Sequence, residues 1–303
     1  MSSLSPMFPT GEQYPISGAG HVAVVCEVGA TLRVLQRDGV DLVRGFGAEE
    51  AVTMCRGQQL LPWPNRIRDG RWTWQGRTEQ LPISEVERST AIHGLVRWMP
   101  WELVDHREDQ VTQRVVLRPQ DGWPATLEAI ITHRLDADGL TVELVVANPC
   151  ADPLPFGYGA HPYLSVGADD VADVELRLPA GHHLEVDPQR LLPGALAPVT
   201  AELDLRQGRR LGGLELDTAF TGLETSGGRW SVGLSHGDRT TELWADQGFG
   251  WLQVFTGAGD GSIAVEPMTC GPDAFNPGPT HDGLIVLKPG QRFSGSWGVR
   301  GTV

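Results

Sequence analysis

Residues 98–147 constrain this 303-residue chain more than any other stretch. Residues 111–117, 125–135 and 140–147 are each strand-like, and the dipeptides Asp121-Gly122 and Asp138-Gly139 between them are turn signals. The segment TVELVVAN alternates in its first half, as a strand with one wet face does. Further strand signals stand at 21–28, 31–37, 40–43, 229–235, 240–244, 251–256, 283–287 and 292–299. Asp38-Gly39 predicts a type I′ hairpin, and RWTW-QG-RTEQL a second one. No long 3.6-period amphipathic run interrupts this pattern, and the only helical feature expected is one turn over residues 49–54. The expectation is one all-β domain of many antiparallel strands over residues 1–303, with a polar leader at 1–17 and the chemistry on its longer loops. A chain of this length can bury a large core as a single sandwich or barrel.

A net charge of −14 and a pI near 5.0 argue against nucleic-acid binding, which needs clustered Lys and Arg. The same field disfavours strongly anionic substrates unless a local Arg cluster overrides it. Cys26, Cys55, Cys150 and Cys270 form no C-x-x-C pair and read as reduced, buried thiols of a cytoplasmic protein. The N-terminus lacks the basic and apolar regions of a signal peptide, and apolar runs stay short of a membrane span, so no membrane partner is expected. No G-x-G-x-x-G follows a strand and no G-x-x-x-x-G-K-[ST] loop occurs, which removes the main support for a nucleotide fold.

In IAVEPMTCGPDAFN, residues 263–276, an apolar β-branched run ends in one carboxylate, Glu266, before Pro267, Gly271 and Pro272 break the strand pattern. That holds an acid at the end of a rigid element, although a strand-end Glu is more often a solvated rim residue. His161 stands in GYGAHPYL, where Gly157 and Gly159 free the backbone and Pro162 fixes the next φ; on an extended segment His161 and Tyr163 share a face. His93, in TAIHGLVRW, again precedes a glycine and reads equally as a turn histidine. Asn65-Arg66 follows two prolines, and Arg66 offers a planar fork to vicinal hydroxyls or a carboxylate, or else pairs with one of the many acids. Asp217, in LDTAF, serves a site or caps a turn. The adjacent His182 and His183 face opposite sides of a strand, cannot jointly chelate, and read as surface. Ten tryptophans, against three tyrosines and eight phenylalanines, suit stacking on sugar C–H faces or filling a large β core. Two histidines, two carboxylates, an Arg and an Asn on loop-adjacent positions suit proton transfer on a neutral polyhydroxylated substrate; no cofactor fingerprint and no metal set of convincing spacing accompanies them.

PWPNRIRDG, IHG, YGAHPYL, LDTAF and VEPMTCGPDAFN, in this order between about residue 29 and residue 298, resemble the aldose 1-epimerase (galactose mutarotase-like) family. The resemblance implies a galactose-mutarotase-like β-supersandwich with an open sugar cleft. It also implies an aldose 1-epimerase acting on a small-molecule monosaccharide, as monomer or homodimer and without cofactor or metal. It assigns Glu266 as general base and His161 as general acid, meeting on opposite sides of one pyranose. Arg66, His93 and Asp217 then bind the sugar, with Asn65 beside the Arg in the same motif. Leu95 stands where galactose-specific members tend to have a Gly, and Met268 where they usually place polar residues, which bears on the identity of the hexose. A bell-shaped pH–rate profile is expected, with a carboxylate on the acid limb and an imidazole on the basic limb. The alternatives are a hexose-6-phosphate 1-epimerase of the same fold, with further Arg or Lys beyond Arg66, a glycosidase using Asp217 and Glu266, and a non-catalytic sugar-binding protein.

Overall fold

Strand alternation organises the whole molecule, which is seen in a computed structural model describing residues 7–303. A nine-stranded antiparallel sheet runs in the order Glu102–His106, Gln110–Leu117, Leu127–Asp136, Gly139–Ala147, Arg292–Thr302, Arg239–Asp246, Arg229–His236, Glu175–Arg177 and Arg209–Arg210. The tight turns of the 98–147 region make its strands sequential neighbours, as their spacing requires. An eight-stranded sheet runs Pro193–Pro198, Ala180–Val186, Asp217–Leu223, Trp251–Phe255, Ile263–Met268, Gly159–Ala160 and Gln59–Leu60, with Tyr163–Leu164 also pairing to Ile263–Met268. A four-stranded sheet of N-terminal strands and three two-stranded ribbons complete the set. No helix among the described residues is long and apolar enough to cross a membrane.

The inner faces of the two large sheets share one apolar core. Val142, Leu243 and Trp297 of the first meet Phe220, Val254 and Val265 of the second within a single buried cluster. Five of the ten tryptophans, Trp63, Trp72, Trp101, Trp123 and Trp297, are fully buried, so indole here fills core volume.

Three local expectations need correction or refinement. The leader at 1–17 ends early, because Gln13–Gly18 is a strand paired with His21–Cys26 and its Ile16 enters the core; residues 1–6 lie outside the described residues. Residues 49–54 form no helical turn, since a turn so short has no packing partner to offset its nucleation. Both predicted hairpins form, and Asp38 and Gly39 take the positive φ values, 48° and 80°, that a type I′ turn demands. The four cysteines are free thiols, Cys26 and Cys270 buried and Cys55 and Cys150 only partly so.

His133, on Leu127–Asp136, is fully buried and neither ring nitrogen has a hydrogen-bond partner among the described residues. Burial pushes its pKa from 6.5 down to about 3. Between those values the unfolded chain binds a proton that the folded protein refuses. Stability therefore falls as pH drops through that window, by about 1.4 kcal/mol per pH unit for this group. Urea unfolding of His133→Leu at several pH values between about 6 and 4 is expected to show that slope removed; an unchanged slope places the acid sensitivity elsewhere.

Candidate active site

The same period-two alternation that builds the core also builds a cleft on the other face of the eight-stranded sheet. In Ile263–Met268, Ile263 and Val265 point into the main core, which leaves Ala264, Glu266 and Met268 on the opposite face. Leu252 and Val254 likewise face the core, so Trp251, Gln253 and Phe255 share the face of Glu266. The register puts Gln253 directly opposite Glu266, and Asp217 opposite Phe255 one strand further out. Gly159 pairs with Met268 and Tyr163 with Ala264, so counting two residues in from either pair brings His161 opposite Glu266. Pro162 interrupts that ladder, and the backbone of His161 bonds instead to Gln58 and Gly57 on its other side. Residues about a hundred positions apart thus meet by register alone.

The opposing wall comes from turns. Met54, Cys55, Asn65 and His93 line the cleft and all have positive φ, between 50° and 63°, an unusual density for non-glycine residues. Asn65 and His93 hold each other there. The amide of Asn65 donates to His93 Nδ1 at 3.2 Å, and the amide of His93 donates to the Asn65 carbonyl at 2.9 Å. With Nδ1 accepting, neutral His93 carries its proton on Nε2. Gly94 is obligatory behind it, because a Cβ would stand 2.2 Å from the Leu61 carbonyl oxygen.

Arg66 is gripped from behind. Its Nε and Nη2 donate to the two oxygens of Glu85 at 2.8 and 2.9 Å, Thr90 Oγ1 donates to the same carboxylate at 2.6 Å, and Nη1 keeps no protein partner among the described residues. Burial would raise the Glu85 carboxyl, but the bonds from Arg66 and Thr90 outweigh it and hold it below its ordinary value. Asp273, from the same motif as Glu266, accepts from the Arg68 amide and donates its own amide to the Arg66 carbonyl, which latches this strand to the site.

The cleft encloses about 220 Å³. All six residues singled out in the sequence, Glu266, His161, Arg66, His93, Asp217 and Asn65, line it. His161 Nε2 stands 3.3 Å from Glu266 Oε1, in direct contact rather than across a gap of sugar width. The His161 ring stacks on Tyr163 with centroids 5.1 Å apart and lies edge-on to His93 at 5.2 Å. The outer face of Tyr163 carries Arg56, itself tied to Asp260 at 2.9 Å. Asp217 accepts a 2.6 Å bond from Gln253 Nε2.

Burial pushes Glu266 well above the usual carboxylate range, and the Asp217 charge adds to the push while Arg66 opposes it. Burial also pushes His161 down to about 3, with Arg56 and Arg97 adding to it. His93 is driven well below its ordinary value by burial, His161 and the nearby arginines. Both shifts favour the uncharged form of the facing pair, carboxylic acid with neutral imidazole. Glu266 Oε2, His161 Nδ1 and Gln253 Oε1 are buried without protein partners among the described residues, an unusual concentration of unpaired polar atoms in three neighbouring side chains. One ligand atom each from His93, His161 and Glu266 lie within 4.8 Å of one another, a His₂-carboxylate set whose geometry also suits a divalent cation.

Sequence reasoning did not name Glu85, Gln253, Phe255 or Arg56. Gln253 had a signal, being the one polar residue of the apolar strand WLQVF. Glu85 sits among several charges in SEVER and had none. Met268 shares the face of Glu266 but does not line the cleft, packing in a small cluster with Leu184, Ala219 and Trp251. His182 is exposed and His183 half-buried, away from the cleft.

Comparison with known proteins agrees with this architecture. The family model for aldose 1-epimerase matches residues 13–299. The uncharacterised protein YihR of Escherichia coli K12 is 33% identical over 295 residues, covering 95% of this chain and 92% of that protein. The galactose mutarotase of Rattus norvegicus is 29% identical over 196 residues, covering 60% of this chain and 55% of that protein. A galactose mutarotase-like protein from Clostridium acetobutylicum superposes with a TM-score of 0.84 at 18% identity, covering 95% of this chain and 94% of the other. The GalM/aldose epimerase homologue of C. elegans gives 0.81 at 21% identity, covering 96% and 98%. A β-supersandwich with a cleft on its outer face and a family model spanning nearly the whole chain lead to one conclusion: this chain belongs to the aldose 1-epimerase family.

Proposed function

We propose that the protein interconverts the α and β anomers of a neutral hexose, with Glu266 as general base and His161 as general acid. The observation that carries this reading is their contact at 3.3 Å on the cleft floor. O1 and O5 are both attached to C1, so two proton carriers a few ångströms apart can serve both oxygens without flanking the ring. In opening, Glu266 takes the O1 proton, C1=O1 forms as the C1–O5 bond breaks, and O5 takes the proton from His161. The open chain turns about C1–C2, and closure returns both protons with O1 on the other face. The pair thus alternates between carboxylate with imidazolium and carboxylic acid with neutral imidazole, carrying one proton throughout. Burial favours the uncharged form, and sugar hydroxyls donating to Glu266 favour the charged one. Each well-placed proton carrier contributes about 10²–10⁴-fold.

His93 Nε2–H and Arg66 Nη1 are donors to the sugar, and Asn65, Gln253 and Asp217 exchange hydrogen bonds with its hydroxyls. A neutral sugar is favoured over a phosphorylated one by the charge of the walls. The one Arg on the lining is paired with Glu85 and Arg56 nearby with Asp260, and two carboxylates face the cleft, against the single cation Arg97, which also acts on His161 and has no carboxylate partner among the described residues. Glu85→Gln is expected to release Arg66, raising KM about tenfold with little change in kcat. It should also cost about 3 kcal/mol of stability by leaving a buried guanidinium underpaired. Steady-state kinetics with urea unfolding checks both; an unchanged KM removes Arg66 from substrate binding.

The proposed activity is tested by NMR exchange between anomers of freshly dissolved α-glucose, α-galactose and glucose 6-phosphate, with and without protein and with EDTA present. Acceleration of a free hexose under chelation supports the reading. No acceleration of any sugar, or of the phosphate ester alone, defeats it. Loss of the activity to EDTA would transfer the three-residue set to a metal.

A further inference from the structure

The cleft's two walls come from distant parts of the chain, and the tip of one surface hairpin ties them together. His182 and His183 pair with Thr221 and Phe220, and counting on along that ladder ends the strand Ala180–Val186 level with Asp217. The tip that follows, residues 187–192, therefore projects at the cleft's end of the sheet. Its own first residue holds it rigid. Asp187 Oδ1 accepts from the amides of Gln189 and Arg190 at 3.2 and 2.7 Å, and Oδ2 accepts from the Leu192 amide at 3.1 Å. These bonds fix the backbone from which Arg190 reaches out.

Arg190 reaches across to the opposite wall. Its Nε donates to the Arg88 carbonyl at 2.9 Å, and its Nη2 donates to the Ser89 carbonyl at 3.0 Å and to Asp69 Oδ1 at 2.6 Å. Two successive carbonyls taken by one edge of a guanidinium suit its planar fork, which an ammonium does not reproduce. Ser89 closes the turn Val86–Arg88 in the left-handed region, at φ 52°. That turn opens on Glu85, whose carboxylate grips Arg66, and Arg88 Nη1 adds a 3.2 Å bond to the same carboxylate. In the ribbon that follows, Arg66 and Ile92 pair at the end lining the cleft, while Arg68 and Thr90 pair at the end next to Asp69 and Ser89. Arg190, itself outside the cleft's lining, thus holds the turn that sets the place of Arg66.

We propose that Arg190 is a positioning residue for sugar binding: it straps the wall carrying Asp217 to the wall carrying Arg66 and so fixes the spacing of those two groups across the sugar. The inference rests on the anomer-interconverting reading above, and its experiment separates the two. Steady-state anomer exchange is measured, on the free hexose that the wild type accelerates most, for Arg190→Ala, Arg190→Lys, Glu85→Gln and the double variant Arg190→Ala/Glu85→Gln, each with its urea midpoint. Arg190→Ala is expected to raise KM about three- to tenfold with kcat within about twofold of wild type, the mark of lost uniform binding. Arg190→Lys should show most of the same rise, because one ammonium does not span both carbonyls, and it carries the test by itself if the alanine variant is unstable. The double variant should have the KM of Glu85→Gln alone, since once Arg66 is released the strap has nothing left to convey. A general role in folding would instead lower the urea midpoint and leave KM where it was. A wild-type KM in Arg190→Ala and Arg190→Lys, a fall in kcat at unchanged KM, or KM effects that multiply in the double variant would overturn the strap alone. A wild type that accelerates no sugar would overturn both readings.

Discussion

Glu266→Gln is expected to lower kcat/KM for anomer exchange by about 10²–10⁴-fold with the fold intact. The amide matches the carboxyl in size, so the strand that carries it need not move. What it loses is the ability to accept a proton from O1, which no neighbour replaces. Asp217 is two strands away and already accepts from Gln253 at 2.6 Å, and His93 Nδ1 is occupied by the Asn65 amide. Because a buried carboxyl raised above its ordinary range is expensive to keep, the variant should be as stable as the wild type or slightly more so. Polarimetry on a mutant with unchanged urea midpoint makes the measurement. A rate within a few-fold of wild type would remove Glu266 from the chemistry.

His161→Asn should produce a loss of similar size, and the double variant should be little worse than either single one. Two groups that carry one proton between them act as a unit, so removing either removes the relay. The pH profile of the wild type supplies a second check. Activity requires that the pair hold one proton. As pH falls, activity is lost when a second proton enters, which burial delays until about 3 at His161. As pH rises, activity is lost when the only proton leaves, which burial and Asp217 delay well beyond the usual carboxylate range. The bell drawn from ordinary side-chain values, with a carboxylate limb below and an imidazole limb above, is therefore replaced by a broad plateau whose limbs belong to the pair. An acid limb near 6.5 would show His161 titrating as an exposed histidine and would break the pairing argument.

How much of this was legible in the sequence depends on the distance over which each piece is decided. Hairpins such as Asp38-Gly39 are settled by two residues, and the sequence names them. The alternation of Ile263, Val265 and Glu266 says which residues share a face, but not which face is the core. That depends on strands from elsewhere in the chain. The meeting of His161 with Glu266 follows from a register set by Gly159 and Tyr163, and only the ordered motifs, not any local rule, pointed to it. Glu85 was invisible because its value comes from Arg66, 19 residues away and reached through a two-stranded ribbon. Tryptophan abundance left sugar stacking and core filling both open; five indoles fill the core, and the aromatic walls of the cleft are Tyr163 and Phe255.

The sheet that carries Glu266 is shared between two tasks, with neighbouring positions along one strand answering to different selection. Val265 cannot be tuned for packing without nudging the carboxylate beside it, nor Glu266 repositioned without disturbing the interior. Evolution of new sugar preferences is then driven out to the perimeter, to turns such as that at Met54 and Cys55, which line the cleft without belonging to the sheet. Relatives with divergent diets should differ there first, while the floor stays the same.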